Sequence, residues 1–288
     1  MQIVTDSGTD VQTVVGPELL SLAHVVPLAV TLDGKSYREG IDIQTHDFYR
    51  LLVASQGLPV TSQPSAGDFA EVYRRLAATD PEILSIHISS GLSGTVNSAQ
   101  VGASQVPEAH VTVVDTKTLS APAGWQVEAA LRGVTAGETK EQILARIARV
   151  ARVTDCLYTL SELKYLIHGG RISHMKGLLA QMLNIKPVIG VEKERGTYVQ
   201  HAQARAFKGA VHALVNHITT SGHAQGSALR VQVLYADNPE GGEMLRQEID
   251  SRYRCTWLPI GPMSLVLGAH TGPTMIGVAF APAGEFGA

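Results

Sequence analysis

ILSIHISSGLSGTVNSAQ, residues 83–100, is the stretch whose reading decides the fold. Ile83–Ile88 is a short, mostly apolar run, the pattern of a strand buried on both faces of a parallel sheet. Ser89-Ser90-Gly91-Leu92-Ser93-Gly94-Thr95 follows as a turn rich in hydroxyls and glycine, and the residues beyond it read as a helix. The same order recurs on both sides. Upstream, QIVT (2–5) runs into the turn Asp6-Ser7-Gly8; downstream, VTVVD (111–115) leads into the helical stretch TKTLSAPAGWQVEAALRGV (116–134). Strands separated by helices predict an α/β fold with a parallel sheet covered by helices. Ligands of such sheets bind in the crevice beyond the carboxyl ends of the strands.

Between the first two strands, VVPLAVTLDGKSYREG (25–40) carries a hairpin signal at Asp33-Gly34. HDFYRLLVAS (46–55) reads as a helix with Thr45 as its N-cap. VTSQP (60–64) is extended, and Ser65 opens a further helix with Asp68 placed for a capping box. Residues 138–152 form an amphipathic helix, after which TDCLYTL (154–160) opens a second unit. That unit runs through SELKYLIHGGRIS (161–173), KGLLAQMLNIKPVIGVE (176–192), GTYVQHAQA (196–204), a long helix over 206–219, LRVQVLYAD (229–237), a Glu-rich helix, CTWLPIG (255–261) and MIGVAFAP (275–282). Its strands and helices are more mixed, which predicts a distinct second domain starting near Ala151–Asp155, with AGEFGA (283–288) as a loose tail.

The bulk properties agree. A chain of 288 residues suits two domains of about 100–200 residues better than one core, and 44% apolar residues suffice to fill them. A net charge of -3 argues against nucleic acid, which needs a basic face. Cys156 and Cys255 lie in apolar, strand-like stretches and read as small core residues. MQIVTDSGTD lacks the features of a signal peptide, and no apolar run reaches the ~18–20 residues of a membrane span, so a cytoplasmic protein without stable membrane insertion is expected.

The turn 89–95 is also the most informative chemistry. It aims backbone N–H groups and hydroxyls at a helix N-terminus, which suits a phosphate or carboxylate, or is simply a Ser/Gly cap. Thr61-Ser62-Gln63-Pro64-Ser65 is a second hydroxyl-rich turn, and the two could face each other at one edge of the sheet, with Asp6 and Ser7 on the same edge. His270 sits in GAHTGPTMIG, which reads as a turn, and near a carboxylate it could donate a hydrogen bond. Arg171 and Arg205 are other possible anion partners. His212 and His217, five apart, do not share a helix face well, and no metal-ligand spacing stands out. No GxSxG surrounds any serine; Ser93 with His270 could form a nucleophile pair for a hydrolase or acyl transferase, but nothing marks a third, orienting acid.

Seven segments in order resemble the DegV family over nearly the whole chain: IVTDSGTD (3–10), VTSQPSAGDF (60–69), ISSGLSGTVNSA (88–99), VVDTKTLSAPAG (113–124), LKYLIHGGRIS (163–173), LNIKPVIGVE (183–192), and HTGP (270–273) followed by IGVAF. The resemblance implies a Rossmann-like N-terminal domain over 1–153, an α/β C-terminal domain over 154–288, and a long-chain fatty acid held in a tunnel between them. It implies a lipid carrier with no catalysis of its own and no cofactor or metal. Its partner would be a fatty acid kinase that converts the presented carboxylate to an acyl phosphate with ATP. Carried over by position, Thr61, Ser62 and Ser93 would hydrogen-bond the carboxylate, with His270 as a further candidate. Ser90, Gly94, Thr95, Asp6 and Ser7 would support them, and Arg205 would sit near the mouth or the kinase contact. The chain departs from the family at Thr116 and Pro122, where serine and glycine are usual, at Thr274, where glycine is usual, and at Gln203 and Ala204, which thin the basic cluster around Arg205. Burial at about 0.8 kcal/mol per methylene would give a chain of about fifteen on the order of 10 kcal/mol gross, so the tail supplies affinity and the hydroxyls fix its direction.

Overall fold

The computed structural model describes residues 1–174 and 185–286. Part of the expected stretch KGLLAQMLNIKPVIGVE, residues 176–184, therefore lies outside the described residues. The first half contains strands β1 (Gln2–Asp6), β2 (Ala23–Val26), β3 (Ala29–Leu32), β4 (Lys35–Arg38), β5 (Val60–Ser62), β6 (Glu82–His87) and β7 (His110–Asp115). Its helices are α1 (Val11–Val14), α2 (Pro17–Leu20), α3 (Thr45–Ala54), α4 (Ala66–Ala77), α5 (Thr95–Ser104), α6 (Ser120–Thr135) and α7 (Lys140–Val153).

Four strands form an all-parallel sheet in the order β2-β1-β6-β7. Alternation along the strands fills a core on each face. Ile3 and Leu84 join one with Trp125 and Leu131 of α6, whereas Val4 and Ile83 join the other with Phe69 and Tyr73 of α4 and Ala99 of α5. Ser65 caps α4 in a complete capping box with Asp68. The cap of α3 is Gln44, with no side-chain bond to the helix, and Thr45 is already helical. Asp33 and Gly34 both have positive φ, as the two-residue β3–β4 turn requires. β5 departs from expectation. It pairs antiparallel with β3, Val30 opposite Thr61, in a separate three-stranded sheet, so Thr61 and Ser62 do not lie on the parallel sheet's edge.

The second half contains β8 (Asp155–Thr159), β9 (Lys186–Glu192), β10 (Thr197–Ala204), β11 (Ala228–Tyr235), β12 (Arg254–Trp257), β13 (Gly261–Pro262) and β14 (Ile276–Pro282), with helices α8 (Lys164–His168), α9 (Phe207–Thr220), α10 (Pro239–Asp250) and α11 (Leu265–Thr271). The sheet is mixed, in the order β10-β9-β8-β14-β11-β12, with β13 also beside β11. One face packs on α9 and α10 through Val188, Val231, Val278, Leu214 and Leu245. The other face, with Tyr158, Ile189 and Tyr198, belongs to the same core as Ile3 and Trp125 of the first half. The two halves thus share one apolar layer.

α11 crosses that boundary. All seven residues are buried, and it packs on α3, β3 and β5 of the first half as well as on α8. His270 is in its last turn, not in an open turn, because the helix stops only at Gly272, whose φ is +77°. The tail is ordered through Phe286, which meets Trp125 edge-on at 5.3 Å and lies under the Arg230 guanidinium at 4.4 Å. That contact, invisible in a short run of small residues, replaces the expected loose end.

Candidate functional site

A small cavity of about 50 Å³ lies between the halves, with Thr61, Ser62, Gln63, Ser93, Arg171 and His270 as its polar wall. Leu28, Ile88, Leu92, Leu119, Tyr198, Val266 and Leu267 complete it. Leu119, Tyr198 and Leu267 also line a narrow, mainly apolar compartment of about 10 Å³ with Leu160, Leu166, Ile189, Met263 and Met275. The cavity is therefore graded from a polar mouth to an apolar interior. A larger cleft of about 480 Å³ opens between α7 and β7–β9; its lysines are matched, Lys117 with Asp115 and Lys193 with Asp155, while Arg152 has no carboxylate partner among the described residues. Hydroxyl, imidazole and guanidinium groups converge only on the smaller of the two, which is the candidate site.

The two hydroxyl-bearing segments face each other across the mouth. A Cβ on Gly94 would fall 2.4 Å from the Gln63 amide, so glycine here lets that amide lie against the turn. Gln63 also bonds to Ser98 of α5 at 3.2 Å. Gly91 lies against the carbonyls of Arg195 and Gly196, and Ser89 donates to Gly196 O at 2.8 Å, which ties the turn to the β9–β10 hairpin of the second half. Within the turn, the Ser93 and Thr95 hydroxyls are 2.8 Å apart.

Thr61 Oγ1 lies 2.8 Å from His270 Nε2, across the boundary between the halves. His270 Nδ1 is buried without a partner. It sits over Gly169, where a Cβ would come within 2.0 Å. Burial lowers the His270 pKa from 6.5 to about 4, with the positive charge of Arg171 and His168 adding to the effect, so the ring is neutral at pH 7. Arg171 donates to Gly169 O at 2.6 Å and to Leu92 O at 3.3 Å, and no carboxylate pairs with it among the described residues. Two of its five N–H groups are engaged, leaving three and a full positive charge at the cavity wall.

Among the residues singled out from sequence, the structure gathers Thr61, Ser62, Ser93 and His270 at one cavity, with Thr95 behind Ser93 and Gly94 at the approach of the two segments. It places four others elsewhere. Ser90 faces outward, bonded to Asp115 and Lys117. Asp6 is spent on Gly8 N, Ile88 N and His87, and the Ser7 hydroxyl on Leu28 N, all inside the core. Arg205 is exposed between β10 and α9 and does not line the cavity. Arg171, named only as one possible anion partner, is the cation of the site. Gly169 was missed altogether; the Gly169-Gly170 pair in HGGRIS was its only signal.

Ser93 pairs with Thr95 and His270 with Thr61, so the nucleophile and base of a hydrolase are not joined, and no acid among the described residues reaches His270 Nδ1. An Asp6–His87–Ser85 chain does exist, with bonds of 3.0 and 2.7 Å, and continues to Tyr73. Its Asp, His and Ser are sealed at 0% exposure between sheet and α4, where no substrate arrives.

The DegV family model, described as an uncharacterised protein family, matches residues 1–283. A DegV domain-containing protein of Deinococcus radiodurans is 34% identical over 280 residues, covering 97% of this chain and 95% of its own length. A DegV family protein from Thermus thermophilus, described in terms of its fatty acid binding, superposes with a TM-score of 0.86 at 31% identity, over 98% of this chain and 99% of its own. A Thermotoga maritima structure described as revealing a fatty acid binding function superposes at 0.83 with 27% identity, over 98% of each chain.

Proposed function

This chain belongs to the DegV family, and from that premise we propose that it holds one long-chain fatty acid between its halves, 1–153 and 154–288, acting as two domains, and presents the carboxylate to a separate kinase in the cytoplasm. The continuity of a polar mouth with an apolar compartment through Leu119, Tyr198 and Leu267 carries this reading. The carboxylate sits among Thr61, Ser93 and Arg171 with Ser62 at the rim, and the tail enters the inner compartment.

The neutral ring of His270 sets the direction of the hydrogen bonds. A proton on Nδ1 would be a buried donor with no acceptor, so the proton belongs on Nε2, which donates to Thr61 Oγ1. The Thr61 hydroxyl then has its own proton free for the carboxylate. Ser93 adds a second hydroxyl and Arg171 the counter-charge. None of these groups need change covalently for the carboxylate oxygen to face a phosphoryl donor, which fits a carrier.

The test is mass spectrometry of an organic extract of the purified protein, with oleate titration of the delipidated chain. A fatty acid at one per protein is expected, and Thr61→Val weakens oleate binding by about tenfold or more, the loss of a bond to a charged acceptor. No extracted acid together with no oleate binding overturns the proposal. Ester turnover by the protein alone, abolished by Ser93→Ala, replaces the carrier by a hydrolase.

A further inference from the structure

α11 supplies Val266, Leu267 and His270 to the cavity; it is only seven residues long and follows β13 closely, with Met263 N–H donating to Tyr235 O of β11 at 2.8 Å. Its first turn is held by two carboxylates from the other half. Glu39, just after β4, accepts from Ser264 Oγ and from Leu265 N–H, both at 2.7 Å. Asp10, just after β1, accepts from Ser264 N–H at 2.7 Å and from the Ser120 hydroxyl at the start of α6. Glu39 is 7% exposed and Asp10 not at all.

A cap alone does not explain this arrangement. Ser264 already caps the helix with its own hydroxyl, which accepts from Val266 N–H. Burying two carboxylates beside each other is costly, and neutral caps would hold the turn more cheaply. Asp10 and Ser120 are moreover both in left-handed backbone, at φ of 52° and 54°, which L residues seldom adopt. What the acids add is direction: two planar acceptors, on separate first-half loops, fix both the position and the rotation of the helix start. His270 lies six residues on, about 9 Å along the axis, where a small rotation at the start moves the ring off Thr61.

We propose that Glu39 and Asp10 are positioning residues for the carboxylate site: they register the start of α11 against the first half and so set the contact between His270 and Thr61. The inference rests on the fatty-acid reading for its consequence but not for its geometry. Neither acid lines the cavity, so an effect on ligand is indirect, and the His270 resonances report the part of it carried by the helix.

The experiment follows full-length Glu39→Ala and Glu39→Gln in two ways, by oleate titration and by nitrogen NMR of the His270 imidazole. Glu39→Ala is expected to weaken oleate binding by about tenfold and to move the His270 resonances, while Gln, which keeps an acceptor for Leu265 N–H, recovers binding to within about threefold. Leu214→Ala, in the core under α9, serves as a destabilised control and leaves the His270 resonances in place. Unmoved resonances in Glu39→Ala overturn the proposal, as does an equal movement in Leu214→Ala. Should Glu39→Ala not fold, Asp10→Asn is read by the same criteria. If the wild type fails to bind oleate while Glu39→Ala still moves His270, the positioning role stands and the ligand reading falls.

Discussion

Two buried groups at opposite ends of α11 titrate over the same pH range with opposite effects on stability. Burial lowers His270 from 6.5 to about 4. Burial pushes Glu39 from 4.5 up to about 7, although its hydrogen bonds with Ser264, Ser7 and the Leu265 N–H oppose the rise. Between pH 6.5 and 4 the unfolded chain protonates its histidine and the folded chain does not, so His270 costs stability on acidification. Between pH 7 and 4.5 the folded chain keeps a Glu39 proton that the unfolded chain has released, so Glu39 returns stability on acidification. Each gap spans about two and a half pH units, which at roughly 1.4 kcal/mol per unit is about 3 kcal/mol. In the wild type the two largely offset each other, and Asp10, raised chiefly by its burial, acts in the same sense as Glu39.

Single substitutions expose each limb. Glu39→Gln has no carboxyl to bury in ionised form, so relative to wild type it gains about 2–3 kcal/mol on going from pH 5 to pH 8. His270→Gln has no ring to keep neutral, and relative to wild type it gains about 2 kcal/mol on going from pH 8 to pH 5. Urea unfolding of delipidated protein at pH 5, 6.5 and 8 measures both differences, and groups common to the two proteins cancel. A Glu39→Gln difference constant to within about 0.5 kcal/mol across that range refutes the argument, because an acid with access to water would behave so.

Arg171→Gln keeps hydrogen-bonding capacity but loses the charge; oleate binding weakens by about tenfold or more, and its dependence on salt, measured by titration at low and high ionic strength, largely disappears. Gly169→Ala places a methyl on His270 Nδ1 and is expected to cost about 1–3 kcal/mol in urea unfolding, with loss of the Thr61 contact. Phe286→Ala removes the edge contact on Trp125 and the lid over Arg230, and lowers stability by about 1–2 kcal/mol in the same assay.

Elements built from local pattern were legible in the sequence. Strands β1, β6 and β7, the Asp33-Gly34 hairpin and the Ser65–Asp68 capping box stand where period, turn chemistry and capping put them, whereas the fourth parallel strand, β2, begins the run that read as hairpin. Thr45 was misplaced by one residue because a threonine serves at the N-cap and in the first turn alike. What was not legible depends on partners distant in sequence. Thr61, a candidate site residue, lies at the cavity but on another sheet than expected, since nothing local states that Val60–Ser62 pairs back on Ala29–Thr31. Asp6 and Ser7 follow a strand of the right sheet and were placed at its ligand edge, yet their polar atoms are satisfied inward by His87, Ile88 and Leu28. Position beyond a parallel strand is thus not sufficient for a place at the cavity and, as Thr61 and His270 show, not necessary either.

Arg171 changes the chemistry expected of the mouth. Hydroxyls alone would bind a carboxylate weakly and leave its oxygens nucleophilic, which suits an acid that must later react. A guanidinium holds the anion harder, and the question is how the oxygens stay available. The geometry gives an answer. Arg171 is fixed by one carbonyl from each half, Leu92 O and Gly169 O, so its orientation depends on both halves being in place. On the proposed reading its charge holds the carboxylate while the halves are closed, and separating them by even an ångström breaks the longer, 3.3 Å bond to Leu92 first. Thr61 and His270 lie on opposite sides of the same boundary, so they would part in the same movement. The grip on the carboxylate is thereby made conditional on the register of the two halves, and the capping acids at the other end of α11 are what set that register.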